Sequence, residues 1–479
     1  MAGRNPASGA ASPPRLPFSA PVPPEPFPVP LPEGALPDLV YSEARATLTL
    51  RREGGSAALP TLVEESGCRV TGGAGGRRFF AVIDSPGEGA LDALTRLIGS
   101  DLRPIDPSLA TGLADRALAW GAILGASMGD ARGSAAGATL LDLSWSARIS
   151  MRAVRIARRE TVPLAAPPLE ADGTLPGSPF LSTVEVRVAA TLERDGRTAR
   201  AEASRWIPPM LPRDAAGLLE DLPAAAIRRA SEILESAMPP AMETPVVFSP
   251  AAAGILLHEV CGHLLEGDLV ASGTSPFAGR LGEAVAPDFV TIRDDPMHPL
   301  GRVRIAVDDE GEGTGPHLLV ERGRLAGFLT HRRSAASLGG VSTGNARRES
   351  WRQPALPRLT NLIVTPGDAD PADLMKGISR GLYVDRLGRG QVDPRMGRFR
   401  LEVESGRLVE SGRITRPVAG GWLAGSCAQL LRSIEGVGCD AQADPEAGVC
   451  IKEDQIVPVG QIAPTLRVAS VRIIPGAAP

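Results

Sequence analysis

The sequence lacks the features that would point to nucleic acid, a membrane or an oxidising compartment. Its net charge is −4, with 51 basic and 55 acidic residues, so no positive excess favours nucleic acid or an anionic membrane. No apolar run approaches the roughly 20 residues of a membrane-spanning helix, and no apolar stretch after Arg4 and Arg15 forms a secretory signal. Five cysteines in 479 residues are too few, and odd in number, for a disulfide framework. We therefore expect a cytoplasmic protein without direct contact to nucleic acid or membrane.

Proline-rich segments mark the ends of two predicted domains. The first 40 residues hold 12 of the 45 prolines, and such a composition favours extended conformations and cannot bury a core. We therefore interpret residues 1–38 as a proline-rich tail. Pro239-Pro240 follows a helical pattern and indicates a second boundary, because proline cannot continue a helix. The predicted domains are residues 39–240 and residues 241–479.

The spacing of apolar residues predicts an α+β fold. Alternation of apolar and polar residues is typical of half-buried strands, and a spacing of three to four is typical of helices. In the first domain the predicted strands are 43–51, 68–70, 78–83, 141–154, 182–192 and 198–206, and the predicted helices are 90–97, 108–124 and 215–237. In the second domain, turns at Arg322-Gly323 and Ser405-Gly406 predict two hairpins. We expect antiparallel strands with helices in the first domain and a β-rich second domain.

Two of the five histidines lie in one hexapeptide, His258-Glu259-Val260-Cys261-Gly262-His263. Neutral imidazoles are zinc ligands, and a carboxylate beside them can accept a proton from a water molecule on the metal. Ser249-Pro250 supplies an N-cap and a first-turn proline, which predicts a helix that carries the hexapeptide. Taken alone, the hexapeptide is equally compatible with a chance match among ordinary helix residues.

The spacing of the two histidines requires an irregular helix. Residues four apart lie about 40° apart around a regular helix, whereas residues five apart lie about 140° apart and cannot share one ion. The helix must therefore accommodate an extra residue, for example as a π-bulge, a feature that is frequent at functional sites. Gly262, just before the second histidine, tolerates the unusual dihedral angles that a bulge needs.

The residues around the hexapeptide resemble the signature of the TldD/PmbA family of metallopeptidases, also called modulators of DNA gyrase. The resembling blocks follow in the family's order along the chain, at residues 254–268, 308–311, 343–350, 390–394, 414–418, 448–453 and 458–460. Ala346 and Ile451 stand where the family usually has glycine. The resemblance is strong over residues 214–475, weak over 39–213 and absent from the tail.

This resemblance implies a zinc-dependent peptidase that hydrolyses extended or unfolded peptides. It implies that His258, His263 and Cys450 bind Zn²⁺ and that Glu259 is the general base for the water molecule on the zinc ion. Some family members lack the metal ligands and form the non-catalytic half of a heterodimer. Because this chain has all of them, it resembles the catalytic, TldD-type subunit. The implied assembly is a homodimer or a heterodimer with a TldE/PmbA-type paralogue.

Two alternatives remain open at this point. A dipeptidyl-peptidase-III-like zinc exopeptidase also uses His-Glu-x-x-Gly-His, with a downstream glutamate as its third ligand; Glu266 is the candidate near in sequence, and Cys450 would then have no role. The other alternative is a non-catalytic partner or modulator subunit. Intact metal ligands and the absence of a basic face argue against direct action on DNA.

Four charged residues near these motifs have two interpretations each. Glu266 and Asp268 either orient a ligand histidine or simply end a helix. Arg347 and Arg348 either bind a substrate carboxylate or oxyanion, or form structural ion pairs. Their roles stay open on the sequence alone.

The other cysteines and histidines are predicted to have no ligand role. Cys261, three residues from His258, is expected to be a small packing residue. Cys427 and Cys439 lack a metal-ligand spacing and are expected to be buried thiols. The remaining histidines, expected at the surface or in packing, are His298, His317 and His331.

Overall fold

The computed structural model describes residues 36–53, 56–57, 61–74, 77–84, 137–158, 180–207, 215–446 and 448–476. Most of the predicted tail lies outside the described residues, as do the helices predicted at 90–97 and 108–124. The described chain is mostly strand with a few helices, which confirms the α+β prediction. None of the described helices is both long and apolar enough to cross a membrane.

The N-terminal sheet consists mainly of long antiparallel strands. They are β1 (Leu36–Glu53), β2 (Ser56–Ala57), β3 (Thr61–Ala74), β4 (Arg77–Asp84), β5 (Thr139–Arg158), β6 (Phe180–Arg194) and β7 (Arg197–Ile207). Their order is β4-β3-β1-β5-β6-β7, with β2 paired to β1. Asp195 and Gly196, both with positive φ, form the turn between β6 and β7. The strands predicted in this domain are confirmed and extend further than predicted.

Helix α1 (Leu222–Glu235) packs against β6 and β7 of this sheet. Its apolar residues recur at the spacing of one helix face, so a single stripe is buried. The buried apolar residues of that stripe are Leu222, Pro223, Ala226, Ile227, Ala230 and Leu234. The helix begins later than the predicted Ala215, because Ala215–Leu218 form a separate 3₁₀ turn.

A second sheet, in the C-terminal half, closes on itself. Its strands are β8 (Met242–Phe248), β15 (Arg380–Asp393), β16 (Arg398–Glu410), β17 (Arg413–Val418), β18 (Gly421–Ser426), β19 (Ile434–Val437) and β24 (Leu466–Ile474). The order is β15-β8-β24-β18-β16-β17, with β19 paired to β24. An additional pairing between β15 and β16 closes five of these strands into a ring.

A third sheet and two short ribbons complete the C-terminal half. The third sheet has the order β11-β10-β9-β14-β23-β20. Its strands are β9 (Ile292–Asp294), β10 (His317–Glu321), β11 (Arg324–Leu325), β14 (Asn361–Val364), β20 (Gln442–Ala443) and β23 (Gly460–Ala463). The ribbons pair β12 (Ala346–Arg347) with β13 (Leu356–Pro357), and β21 (Val449–Lys452) with β22 (Gln455–Pro458).

Of the two hairpin predictions in this half, one is confirmed and one is wrong. Arg322 and Gly323 have positive φ and connect β10 to β11, as predicted. Ser405-Gly406, however, lies inside the continuous strand β16, and the turn to β17 falls at Ser411-Gly412. Gly406 allows β16 to approach β15 closely and does not form a turn. A Cβ at this position would lie 2.7 Å from the carbonyl oxygen of Tyr383 on β15.

Four short helices lie among these sheets: α2 (Pro250–Leu257), α3 (Gly267–Ala271), α4 (Arg332–Ser337) and α5 (Cys427–Arg432). Helix α2 packs against both β15 of the closed sheet and β23 of the third sheet. Its buried side chains, including Leu256 and Leu257, belong to the large core cluster that both sheets share. The segment that carries the hexapeptide is therefore held from two sides.

The two halves of the molecule are joined by buried contacts. Trp351 is fully buried with Leu39, Tyr41 and Ile156 of the N-terminal sheet. Its indole nitrogen Nε1 donates a hydrogen bond to Asp84 Oδ1 at 2.8 Å. The N-terminal sheet is thus packed onto the part of the chain that contains the site.

Candidate metal centre

The helix that carries the two histidines changes geometry at the first of them. Ser249 caps α2, because its side-chain oxygen accepts from the amide of Ala252 at 3.2 Å. Residues His258–Gly262 form a π-helical turn, in which the amide of His263 donates to the carbonyl of His258. This confirms the predicted insertion: a five-residue hydrogen-bonded turn places residues five apart on the same side. The two imidazole rings consequently lie 4.8 Å apart between centroids, nearly perpendicular at 85°.

The sulfur of Cys450, on strand β21, lies beside these imidazoles. Cys450 is 187 residues beyond His263 in the chain. One ligand atom from each of His258, His263 and Cys450 lies within 4.8 Å of the other two. The distance from Cys450 Sγ to His263 Nε2 is 3.4 Å. A tetrahedral zinc ion with its usual bond lengths separates a sulfur and a nitrogen ligand by about 3.5 Å. The spacing of this pair therefore suits zinc.

The protonation chemistry of the cluster also suits a cation. Burial would raise the pKa of the Cys450 thiol, but the charges of His263 and His258 hold that pKa well below its usual value. A thiolate is the form of cysteine that binds metals. His258 is only 3% exposed, and its Nδ1 has no hydrogen-bond partner among the described residues. Two imidazoles and a thiolate form a donor set typical of zinc and leave a fourth position open.

A carboxylate and an ammonium lie behind His263. Glu266 is fully buried, and its Oε2 lies 3.3 Å from His263 Nδ1, the ring nitrogen turned away from Cys450. The Lys452 ammonium lies 2.8 Å from the same oxygen and 2.7 Å from Asp268 Oδ1. Burial would raise the pKa of Glu266, but the charges of Lys452 and His263 lower it to about 2. Glu266 is thus ionised and positioned to orient the imidazole, and it lies outside the ligand cluster.

Sequence reasoning missed the position of Lys452. Its signal was visible, since Lys452 and Lys376 are the only lysines of the chain and Lys452 lies two residues from Cys450. Alternation along β21 places Lys452 on the same face of the strand as Cys450. The lysine can therefore reach Glu266 while the sulfur reaches the histidines.

Glu259 lies beside the cluster, half-buried, in the wall of a cavity of about 740 Å³. His258, His263 and residues 388–392 of β15 line the same cavity. A Cβ at Gly390 would lie 3.9 Å from Glu259 Cγ and 2.4 Å from Leu401 Cδ2. Only a glycine therefore fits where β15 passes between Leu401 and Glu259. The cavity gives a substrate access to both the carboxylate and the ligand cluster.

The arginines whose roles were open do not line this cavity. Arg347 is buried and its Nη1 donates to the carbonyl of Leu359 at 2.7 Å. Arg348 is buried and its Nη2 donates to the carbonyl of Asp309 at 2.9 Å. Both therefore have hydrogen bonds to the protein backbone outside this cavity.

The burial predicted for Cys261 and Cys427 is confirmed, and the burial predicted for Cys439 is wrong. Cys261 and Cys427 are fully buried, whereas Cys439 is exposed. Cys439 follows the end of β19, where its amide donates to the carbonyl of Ala369, and the side chain points outward. The other three histidines make local polar contacts: His298 with the amide of Leu300, His317 with the carbonyl of Thr343 and His331 with Ser334.

Comparison with known proteins relates the C-terminal half of the chain to a protein family. The family model described as "PmbA/TldA metallopeptidase C-terminal domain" matches residues 241–475. The chain is 33% identical over 309 residues to the metalloprotease TldD homologue of Haemophilus influenzae, covering 63% of this chain and 64% of the relative. It is 32% identical over 242 residues to the zinc metalloprotease TldD homologue of Saccharolobus solfataricus, covering 50% of this chain and 53% of the relative. The matched part therefore spans about half to two thirds of these relatives.

Solved structures share the fold over nearly the whole chain. TldE from Thermococcus kodakarensis matches with a TM-score of 0.66 and 17% identity, covering 91% of this chain and 97% of the other. A putative modulator of DNA gyrase from Thermotoga maritima matches with a TM-score of 0.65 and 19% identity, covering 92% and 96%. At such identities the likeness concerns the fold alone. The family model and the relatives show that residues 241–475 form a C-terminal domain of the TldD/PmbA metallopeptidase type.

Proposed function

We propose that this chain is a zinc-dependent peptidase in which His258, His263 and Cys450 bind the metal and Glu259 is the general base. The convergence of the three donor atoms supports the proposal most, because two of them come from a π-turn and the third from a distant strand. The names of the relatives in Haemophilus influenzae and Saccharolobus solfataricus agree with this chemistry.

Different residues of the chain have different roles in the proposed hydrolysis. A bound zinc ion would polarise the substrate carbonyl and lower the pKa of a water molecule towards about 7. The Glu259 carboxylate accepts a proton from the attacking water and delivers it to the nitrogen of the leaving amine. Glu266 keeps the Nε2 atom of His263 turned toward Cys450 by holding Nδ1.

The cavity also supports a substrate class. Its volume of about 740 Å³ accommodates a short stretch of extended peptide but no folded domain. Strand β15 lines it with a segment whose pairing to β16 is irregular between Val384 and Gly390. Backbone groups of such a segment can pair with an extended peptide as an added strand. We therefore propose extended or unfolded peptides as substrates.

The assembly belongs to the same proposal. The fold is shared with a protein named TldE, and the chain carries the complete ligand cluster. We propose that it is the catalytic, TldD-type subunit of a two-subunit particle, either a homodimer or a heterodimer with a TldE/PmbA-type paralogue. Light scattering on the chain alone and with a paralogue distinguishes these forms, and a chain that stays monomeric under both conditions contradicts the assembly.

Metal analysis combined with peptide digestion tests the function. We expect about one zinc ion per chain, cleavage of an unstructured labelled peptide, loss of cleavage after chelation and its return on adding Zn²⁺. A tightly folded protein should resist cleavage under the same conditions. Cleavage that persists after complete metal removal contradicts the proposal, as does a zinc-loaded particle with no activity on any unstructured peptide. The latter result would favour the non-catalytic modulator alternative.

A further inference from the structure

A second cavity, of about 190 Å³, lies between the N-terminal sheet and the C-terminal half. On one side it is lined by residues of β1, β5 and β6. On the other side it is lined by residues 347–349 and by the β21–β22 hairpin through Val449 and residues 456–458. We call it the arginine cavity, because its wall contains Arg45, Arg148, Arg152, Arg302, Arg347 and Arg348.

The charge of this wall is strongly unbalanced. Six arginines line the cavity, whereas its only lining carboxylates among the described residues are Glu185 and Glu349. Both carboxylates already have hydrogen-bond donors. Glu185 accepts from Arg187, which does not line the cavity, at 2.6 Å, and Glu349 accepts from the amide of Ile456 at 3.1 Å. The lining itself therefore supplies too few anions for its cations.

Acids behind the wall offset part of its positive charge. Arg45 and Arg152 both pair with Glu43, which is fully buried. Arg152 also lies 2.9 Å from Asp309 Oδ1. Glu310 also lies near Arg348, and Asp444 near Arg302. The wall itself nevertheless presents mainly guanidinium groups to the cavity, and such a wall attracts anions.

Arg348 shows most directly that a partner is missing. The side chain is only 3% exposed, and its guanidinium stacks over the Tyr41 ring at 4.3 Å. Its Nη2 donates to the carbonyl of Asp309, but Nε and Nη1 are buried without a hydrogen-bond partner among the described residues. Buried donors are almost always satisfied by protein, water or ligand. An oxygen-bearing anion in the cavity supplies acceptors of the right charge for a guanidinium.

We propose that the arginine cavity binds a small oxyanion, a phosphate or a carboxylate, held by arginines from both halves of the molecule. Its volume admits such a group with a few water molecules. Two sources supply this chemistry: a free inorganic or organic anion, or the terminal carboxylate of a bound peptide. The second source is geometrically relevant because Val449 lines both this cavity and the one that contains Glu259.

The binding test uses inorganic phosphate titrated by calorimetry into the full chain, in a buffer free of other oxyanions. We expect saturable binding by the wild-type chain. Arg348→Gln should weaken it by about tenfold or more, since hydrogen bonds between charged groups contribute that much. The control Arg228→Gln changes an exposed arginine of α1 that does not line the cavity, and it should leave binding unchanged. Absence of saturable binding to the wild-type chain, or equal binding by Arg348→Gln, overturns the proposal.

A second variant keeps the test decisive if Arg348→Gln does not fold. Arg148 is an exposed residue of the cavity wall, so Arg148→Glu should fold normally and should weaken phosphate binding by charge repulsion. Unchanged phosphate affinity in a folded Arg148→Glu chain would count against the site. Circular dichroism and thermal unfolding establish that each variant is folded.

Competition then identifies the source of the anion. An acetylated tetra-alanine with a free C-terminal carboxylate is compared with its C-terminal amide, in the phosphate titration. Displacement of phosphate by the acid but not by the amide supports the site and assigns it to a peptide terminus. Displacement by neither, with phosphate still bound, supports the site and assigns it to a free oxyanion.

Discussion

The N-terminal sheet and the region around the histidines differ in the regularity of their backbones. Strand β1 pairs with β5 from Leu39 to Arg52 without a register shift. Strand β15, beside Glu259, shifts its register against β16 three times between Val384 and Gly390. The helix that carries the histidines is likewise irregular, passing from α to π to 3₁₀ geometry between residues 250 and 265. Both elements beside the donor atoms are therefore irregular, whereas the central pair of the N-terminal sheet is not.

This difference shows which structural property each region needs. A long regular sheet hydrogen-bonds its backbone completely and provides a rigid platform. A regular helix cannot direct two histidines five residues apart at one point, so the metal region needs a local departure from regularity. Such departures persist only where the surrounding packing fixes them. Here α2 is buried between two sheets that share one core.

The prediction with the largest expected effect tests whether Glu259, in the irregular region, is the general base. Glu259→Gln should lower peptidase turnover by about 10²–10⁴-fold, because the amide cannot accept the proton of the attacking water. Zinc content should remain that of the wild-type chain. Kinetics on an unstructured peptide, with metal analysis of the same sample, measure both. The control Glu283→Gln changes a surface carboxylate paired with Arg280 and should retain full activity. Full activity in Glu259→Gln removes this residue from the mechanism.

Zinc affinity tests whether Cys450, on the distant strand β21, binds the same metal ion as the two histidines. Cys450→Ala should weaken zinc binding by more than about hundredfold, because substituting even a group that only orients a ligand costs about 10–100-fold. Competition with a chromogenic chelator measures the affinity. Cys427→Ala is the matched control, since Cys427 is equally buried in the same half but outside the cluster. If Cys450→Ala keeps its zinc and Glu266→Ala loses it, the third ligand is Glu266.

The two lysines provide a third test. Lys452→Met should weaken zinc binding by about 10–100-fold, because Glu266 and Asp268 lose their buried cation and Glu266 no longer holds His263 in place. The control Lys376→Met removes a cation whose side chain is 74% exposed and paired only with Asp373 among the described residues. That variant should bind zinc like the wild-type chain. Equal affinities in both variants would show that the buried network does not position the histidine.

The smallest effect concerns the π-turn itself. Gly262→Ala should reduce the free energy of unfolding by about 1–3 kcal/mol, the usual cost of overpacking a core. The added Cβ would lie 2.6 Å from Leu359 Cδ2, and Leu359 is fully buried. Gly340→Ala is the control, because a Cβ there meets no atom within 4 Å. Chemical denaturation measures both, and equal stability of the two variants would mean that the turn tolerates a larger residue.

The sequence predicted the parts of the structure that depend on local patterns. The Arg322-Gly323 turn, the Ser249 cap and the irregular helix at His258 each follow from dihedral preference or helical geometry within a few residues. The prediction at Ser405-Gly406 was wrong because a glycine signals either a turn or a close approach, and only the neighbouring strand decides between them. The meeting of Cys450 with the histidines came from family resemblance, since no local pattern relates residues 187 positions apart.

Two further aspects of the prediction depend on more than local patterns. The exposure of Cys439 depends on the path of the chain after β19, which composition does not encode. The domain boundary at residues 240 and 241 stays a prediction. Helix α1 packs on the N-terminal sheet and also contacts β17, so the contacts of this region cross the predicted boundary.

The separation of the proposed ligands along the chain would link metal loading to folding. His258 and Cys450 are near each other only when α2 and the β21–β22 hairpin are both in place. An unfolded chain would have to close a long loop to bring them together, so it would bind zinc weakly. A ligand that binds only the folded state stabilises it by mass action, by about 2.7 kcal/mol when free zinc exceeds its dissociation constant a hundredfold. The melting temperature of the C-terminal half should therefore rise with the concentration of free zinc, which makes thermal unfolding a measure of metal supply.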